Sequence, residues 1–550
     1  MKKLFVYQRQ PIDNVYYDPR LAFSAHLALE DGDRFVPLNH NSGVLFAKAD
    51  ENEDGSLEPK CLDKPYLFQD EKGYGIAAIR TDGEGQDDPA GAGRWFVYYT
   101  KDFLDYEEGI CMENPPAASE LKAVPGEYAG IEGCIPGNVM EIPDEVADRL
   151  LKKLNPAVNT AVEVPESVET VAGSAKEVLF GTKAVISYSD GTSRAGKVDW
   201  EYKSEYEKPG EYMVKGLVHQ DHYDFPIAYD RADPCMGKWN GKYYFIATND
   251  ADNNHTLYIR EADTIPELVT AEEHLILDSV TYPEVGGLLW APEFHIINGR
   301  MYIFHACTPE PFFHEESHVL ALKEGGNPCN KDDWEKPRRV VNKDGSDICV
   351  AGNEITLDMT EFEWEGAHYV IWSQRQFLPK DLGAWLYIAR LNPDEPWKLD
   401  SDIVVLSKPD YGWGNNHTFV EEGPFALKRG DVLYITFSAA AVDTSYVVGL
   451  LSLKKGLDPL DPKSWYKKGY PILTSRSVEG EFGTGHNAYV IDDDGLVWNT
   501  YHARPGTQAP RSSGVRRVHF DIDGEPALDM TEEKDIKPEL RDVSVKLIVR

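Results

Sequence analysis

Beyond residue 220 one pattern returns five times along the chain, and it fixes the fold class more tightly than any other feature. The copies are ADPCMGKWNGKYYFIATN, WAPEFHIINGRMYIFHAC, LDMTEFEWEGAHYVIWSQ, EEGPFALKRGDVLYITFS and GHNAYVIDDDGLVWNTYHA. Each reads as a short strand, a turn ending in glycine, and a second strand rich in aromatic and β-branched residues. A recurrence at this period is too long for a lone hairpin and suits the four-stranded blade of a propeller. The expectation is an all-β protein whose residues 219–536 form a five-bladed β-propeller.

The turn glycines are Gly241, Gly299, Gly366, Gly430 and Gly495. Counting back eight residues, or nine in the last copy, reaches Asp233, Ala291, Asp358, Glu422 and His486, a blade-sized 58 to 67 residues apart. Equivalent positions on the innermost strands of a propeller face the central axis, so this register predicts two Asp, one Glu and one His at one end of the channel. A single Asp or Glu beside a turn is ordinarily solvated turn chemistry. Three carboxylates in one inward register are different, because buried unpaired carboxylates are costly. Hydrolysis of a glycosidic bond supplies a reason: one carboxylic acid protonates the leaving oxygen while a carboxylate activates water or attacks carbon. Crowded carboxyls push their pKa values apart, which is what an acid and base pair needs.

Ahead of the repeats, residues 1–130 alternate short β-type runs with turn clusters and read as a β-rich accessory domain. The segment 142–156, IPDEVADRLLKKLNP, places Val146, Leu150, Leu151 and Leu154 at helical spacing, so 131–160 reads as a helical linker. Residues 161–218 suggest a small β-sandwich with Trp200 as a core anchor, and 537–550 reads as a C-terminal tail. The strand KPGEYMVKG resembles those that end bacterial immunoglobulin-like modules.

A formal charge of −37 would repel nucleic acid and anionic lipid, which leaves a neutral partner such as an oligosaccharide as the expectation. The seven cysteines show no CxxC pair and an odd count, so reduced thiols are expected. The apolar run of MKKLFVYQRQPIDN is too short for a signal h-region, which predicts a cytoplasmic protein with no membrane partner. Composition does not indicate an oligomeric state.

At the residues singled out above, the chain resembles glycoside hydrolase family 43, the five-bladed arabinofuranosidases and β-xylosidases, across 225–535. ADP at 232–234 is similar to the family's base motif, WAP at 290–292 to its second-blade signature, EGP at 422–424 to its acid motif and GTGHN at 483–487 to its fifth-blade loop. The resemblance implies Asp233 as general base, Glu422 as general acid and Asp358 as the third carboxylate that tunes the acid and orients the sugar. It implies an inverting reaction that needs no cofactor, a structural calcium ion on the axis with His486 at that metal site, and Arg504 as a substrate-binding arginine. Trp290 would wall the sugar pocket, with Asn416 and His417 on its rim. Met359 stands where the family usually has proline.

The short stretch after the fifth repeat leaves no room for the large C-terminal sandwich of many family β-xylosidases. The expected activity is therefore exo-acting release of terminal α-L-arabinofuranose from arabinoxylan- or arabinan-derived oligosaccharides. A β-xylosidase, an enzyme with both activities and a non-catalytic carbohydrate-binding propeller stand as alternatives.

Overall fold

A computed structural model describes residues 1–12, 17–88, 94–309 and 311–550. The described residues are built almost wholly from antiparallel sheets, with few and short helices.

Between residues 231 and 517 five sheets follow one another in chain order. Their first strands are Arg231–Trp239, Gly287–Ile297, Glu354–Trp364, Glu421–Arg429 and Phe482–Ile491. Four of the sheets have four strands and the fifth has three. The fifth is extended by the segment just before the first sheet: Ile227 donates its N–H to the Ser513 carbonyl, and Ser513 donates to Ala228, both at 2.9 Å. Each first strand packs on the first strand of the next sheet, and that of the fifth packs on that of the first, so the five form a ring. Apolar residues from facing sheets fill the space between them, for example Cys235, Ile246, Phe294 and Ile303, or Phe304, Val370 and Trp372.

The glycine register holds for three hairpins and slips in the fourth. In the first three sheets the two-residue turns are Asn240-Gly241, Asn298-Gly299 and Glu365-Gly366, with both residues at positive φ, the type I′ pattern that places glycine second. In the fourth sheet Arg429 pairs with Val432, so the turn is Gly430-Asp431 and glycine comes first. Counting back from Gly430 therefore lands one residue too early, and Glu422 does not share the strand position of Asp233 and Asp358.

The N-terminal β-rich region, expected to end at residue 130, continues in strand pairing beyond it. Cys134–Ile142 is antiparallel to Lys2–Arg9 in a sheet completed by His26–Asp31 and Arg34–Pro37. A second sheet holds Lys60–Asp70, Gly73–Asp82, Trp95–Thr100 and Ile110–Met112. The helix Asp144–Leu154 buries Ala147, Leu150 and Leu154, while Leu151, expected on its apolar face, stays exposed. Val6, Leu27, Leu62, Ile76 and Leu150 belong to the same core as Phe362, Ile371, Leu433 and Phe437, so this region shares apolar packing with the third and fourth sheets.

Residues 537–550, expected as a tail, are also structural. Asp542–Val549 lies between Ser167–Thr170, to which it is parallel, and Gly210–Val218, to which it is antiparallel. The alternation of buried Val545, Leu547 and Val549 with the more exposed Ser544, Lys546 and Ile548 explains this, since it turns one apolar face onto Ile186, Trp200 and Val214. Trp200 is buried and donates Nε1–H to the Thr182 carbonyl at 3.1 Å.

Candidate active site

At one end of the ring each first strand carries a bulge, and the bulged residues are Asp233, Ala291, Asp358, Gly423 and His486. All five have φ between 46° and 54°. The left-handed region is uncommon for residues other than glycine, and four of them adopting it at matched positions is the kind of strain that persists where side chains must be re-aimed. Here the re-aimed side chains meet. His486 Nδ1 lies 3.3 Å from Asp233 Oδ1 and 4.0 Å from Asp358 Oδ2.

The fourth sheet shows why its bulge is glycine. A Cβ on Gly423 would stand 2.9 Å from His486 Nδ1, so a side chain there would displace the imidazole. Gly423 instead donates its backbone N–H to Asp358 Oδ2 at 3.0 Å. The fourth sheet's carboxylate therefore comes from the preceding residue, Glu422. Trp290 holds the corresponding place in the second sheet; it is half-buried, donates Nε1–H to Asn254 Oδ1 at 2.8 Å, and its ring centroid lies 6.1 Å from that of Phe312.

The three carboxyls sit in different electrostatic settings. Asp233 is buried, with Thr248 Oγ1 donating to its Oδ2 at 2.7 Å. Its Oδ1 receives Arg511 Nη1 at 3.2 Å and faces His502 Nδ1 at 3.0 Å. Burial alone would push Asp233 up, but the Arg511 cation, with His486 and His502, overrides it and holds this carboxyl well below the usual range. Asp358 is raised well above its ordinary value, first by burial and then by the charges of Glu422 and Asp233. Burial also raises Glu422, against the hydrogen bond that Tyr446 donates to its Oε1 at 2.7 Å, and leaves it at about 7. One cluster thus holds a carboxylate that is ionised at neutral pH beside a carboxylic acid that keeps much of its proton.

Arg504 does not reach these carboxylates. Its Nη1 donates to the Ala509 carbonyl at 2.7 Å and its Nη2 to that of Val442 at 3.0 Å, which ties two loops together. The arginine on the carboxylates is Arg511, whose guanidinium also donates to Asp250 at 2.9 and 3.1 Å. Asn416 is buried and His417 half-exposed, and both contact Asp18 of the N-terminal region. Arg511 and Tyr446 lie outside the repeated segments, whereas Thr248 and His502 share one repeat position, seven residues after Gly241 and Gly495 and paired with the residue before the bulge, a signal that counting back from the glycines does not reach.

Asp233, His486 and His502 offer ligand atoms within 4.8 Å of one another. Calcium takes six to eight oxygen ligands, whereas this set has one carboxylate, already paired with Arg511, and two imidazoles. These residues fit calcium poorly. His486 Nε2 and His502 Nε2 are buried without a hydrogen-bond partner among the described residues, and burial lowers both rings, His486 to about 4.

An ionised carboxylate and a protonated carboxylic acid in one cluster are the working parts of a glycosidase. Comparison with known sequences agrees: residues 223–526 match the model of glycosyl hydrolases family 43, and the chain belongs to that family. It is 32% identical over 318 residues to alpha-L-arabinofuranosidase B of Pyricularia oryzae, a match spanning 55% of this chain and 62% of that protein's length. It is also 32% identical over 302 residues to an extracellular exo-alpha-(1->5)-L-arabinofuranosidase of Streptomyces chartreusis, spanning 53% of this chain and 86% of the relative. Among solved structures, an alpha-L-arabinofuranosidase from Lactobacillus brevis is 28% identical and superposes with a TM-score of 0.49, covering 56% of this chain and 95% of that one. The extracellular name of the Streptomyces relative overturns the cytoplasmic location expected from the N-terminal residues. No described helix is long and apolar enough to cross a membrane.

Proposed function

We propose that this protein is an exo-acting, inverting α-L-arabinofuranosidase that removes terminal arabinofuranose from arabinoxylan- or arabinan-derived oligosaccharides. One observation carries the catalytic reading: Asp233 is held ionised and Glu422 is held at about 7 in the same cluster around His486 and Asp358. Glu422 gives its proton to the glycosidic oxygen as the bond to the anomeric carbon breaks, and Asp233 takes a proton from the water that adds to that carbon from the opposite face. Glu422 then leaves the step ionised and Asp233 protonated, and exchange with solvent restores both. Asp358, kept largely neutral, adds little negative charge beside Glu422 and is placed to hydrogen-bond the sugar.

In this reading the five sheets are blades of one propeller, supported by the ring of packed first strands. The sandwich that precedes them, completed by Asp542–Val549, is an immunoglobulin-like spacer. The choice of sugar leans on the names of the relatives, both arabinofuranosidases.

The test compares arabinose and xylose release from aryl α-L-arabinofuranoside, aryl β-D-xyloside and α-1,5-arabinotriose, with wild type and with Asp233→Ala and Glu422→Ala. Arabinose release that both variants abolish is expected. Equal or faster release of xylose contradicts the sugar assignment, and undiminished activity in either variant contradicts the mechanism.

A further inference from the structure

One segment of the N-terminal region reaches the site. Asp18, immediately before the short helix Pro19–Ala22, is only 6% exposed. Its Oδ2 accepts from Asn416 Nδ2 at 3.1 Å and lies 2.7 Å from His417 Nε2. Arg20 donates through Nη1 to Asn415 Oδ1 at 2.9 Å and also to the Asn415 carbonyl, and its guanidinium lies 5.6 Å from the Phe419 ring. Three consecutive residues, Asn415 to His417, are thus held from outside just before the strand that carries Glu422.

His417 carries the connection onward. Its backbone is left-handed at φ 64°, a conformation that an ordinary side chain adopts only when its surroundings impose it. Its Nδ1 lies 2.8 Å from Asp443 Oδ2, so one imidazole bridges two carboxylates from opposite parts of the chain. Asp443 Oδ1 accepts from the Ser445 N–H at 2.7 Å and from its hydroxyl at 2.6 Å, which fixes the turn that delivers Tyr446. Tyr446 then donates to Glu422 Oε1 at 2.7 Å. Asp18 is therefore connected to Glu422 by two routes, through the Asn415–His417 loop and through the Asp443–Tyr446 turn.

We propose that Asp18 is a positioning residue of the active site, through which the N-terminal region sets the hydrogen bond between Tyr446 and Glu422. The N-terminal region is then a working wall of the pocket and not a detachable module. A buried carboxylate needs partners to remain ionised, and those of Asp18 are Asn416 and His417, both in the loop that leads to Glu422. This proposal rests on Glu422 being the general acid.

The experiment uses the full chain with Asp18→Asn, which keeps shape and removes charge, and His417→Gln, which cuts the bridge from the other side. Each is made in the wild-type and Tyr446→Phe backgrounds, and kcat, KM and the pH dependence of arabinose release are measured with melting curves. The expected result is a kcat about tenfold lower with KM changed less than threefold, and an alkaline limb displaced upward in the wild-type background. In the Tyr446→Phe background neither substitution displaces the limb further, since residues acting through one contact are not additive. A merely structural role lowers the melting temperature and leaves the limb in place, and that result, or additive displacements, overturns the proposal. If Tyr446→Phe itself leaves the limb unmoved, the assignment of Glu422 fails instead, and the two failures are thereby told apart.

Discussion

Replacing Tyr446 by phenylalanine removes one hydroxyl from the acid and almost nothing else. The Tyr446 ring is fully buried and stacked on His502, with centroids 5.4 Å apart and planes 9° from parallel, and phenylalanine keeps that stack. The lost contacts are the 2.7 Å hydrogen bond to Glu422 Oε1 and an interaction with the Ser438 hydroxyl. The bond to Glu422 favours the ionised form, because the phenol donates and the carboxylate accepts. A hydrogen bond to a charged group contributes about 1.5–3 kcal/mol, and about 1.36 kcal/mol corresponds to one pKa unit. Glu422 is partly exposed, so water replaces part of the interaction and the lower end of that range applies. Glu422 should therefore rise from about 7 by about one unit. A general acid works only while protonated, so activity is present below this pKa and lost as pH rises through it. The alkaline limb of kcat/KM for arabinose release, followed by chromatography to avoid the ionisation of a chromogenic leaving group, should move to about pH 8. A limb that stays in place, or moves to lower pH, refutes the assignment of Glu422 as the acid steadied by Tyr446.

Three further outcomes are expected. Arg511→Met removes the cation beside Asp233, whose depressed pKa should climb; because the base works only when ionised, the acid limb of kcat/KM should move to higher pH while the alkaline limb moves far less. Glu422→Gln should lower kcat by about 10²–10⁴ on substrates with poor leaving groups and much less on a dinitrophenyl arabinofuranoside, which needs no proton to depart; equal losses on both would show that Glu422 is not the acid. Deleting residues 542–550 removes the buried Val545, Leu547 and Val549, together about 5–9 kcal/mol of apolar burial, comparable with the stability of a whole small domain; limited proteolysis should then cut the 159–218 sandwich, and unchanged resistance would contradict its dependence on that strand.

Much of this was legible in the sequence because propeller-type repeats restate one structural instruction several times. Asp233 and Asp358 could be picked out from glycine spacing since their hairpins share one two-residue turn, His486 needed a count longer by one because its turn has five residues, and the same bulge delivers each to the centre. Glu422 was found by a count that was off by one: its turn places glycine first, and the matched residue is Gly423, left without a side chain because His486 fills the space. Residues outside the repeat were beyond that reading. Arg511 lies in the connection between the second and third strands of the fifth sheet, away from the turn glycines that set the register, while Arg504, which looked like the substrate arginine, is engaged by two backbone carbonyls. Long-range partners were the least visible. Asp18 reaches His417, and Asp542–Val549 completes a sheet begun more than 300 residues earlier, and neither pairing leaves a local signature.

The central claim is that Asp233 and Glu422 work as base and acid in a single displacement, with water attacking from the face opposite the leaving group. Proton NMR of the first turnovers on an aryl α-L-arabinofuranoside reads this directly, before mutarotation scrambles the product. The β anomer of arabinofuranose should appear first, and to a matching extent with the loss of substrate. Initial formation of the α anomer would mean a covalent intermediate and two displacements, and would contradict the roles given to Asp233 and Glu422.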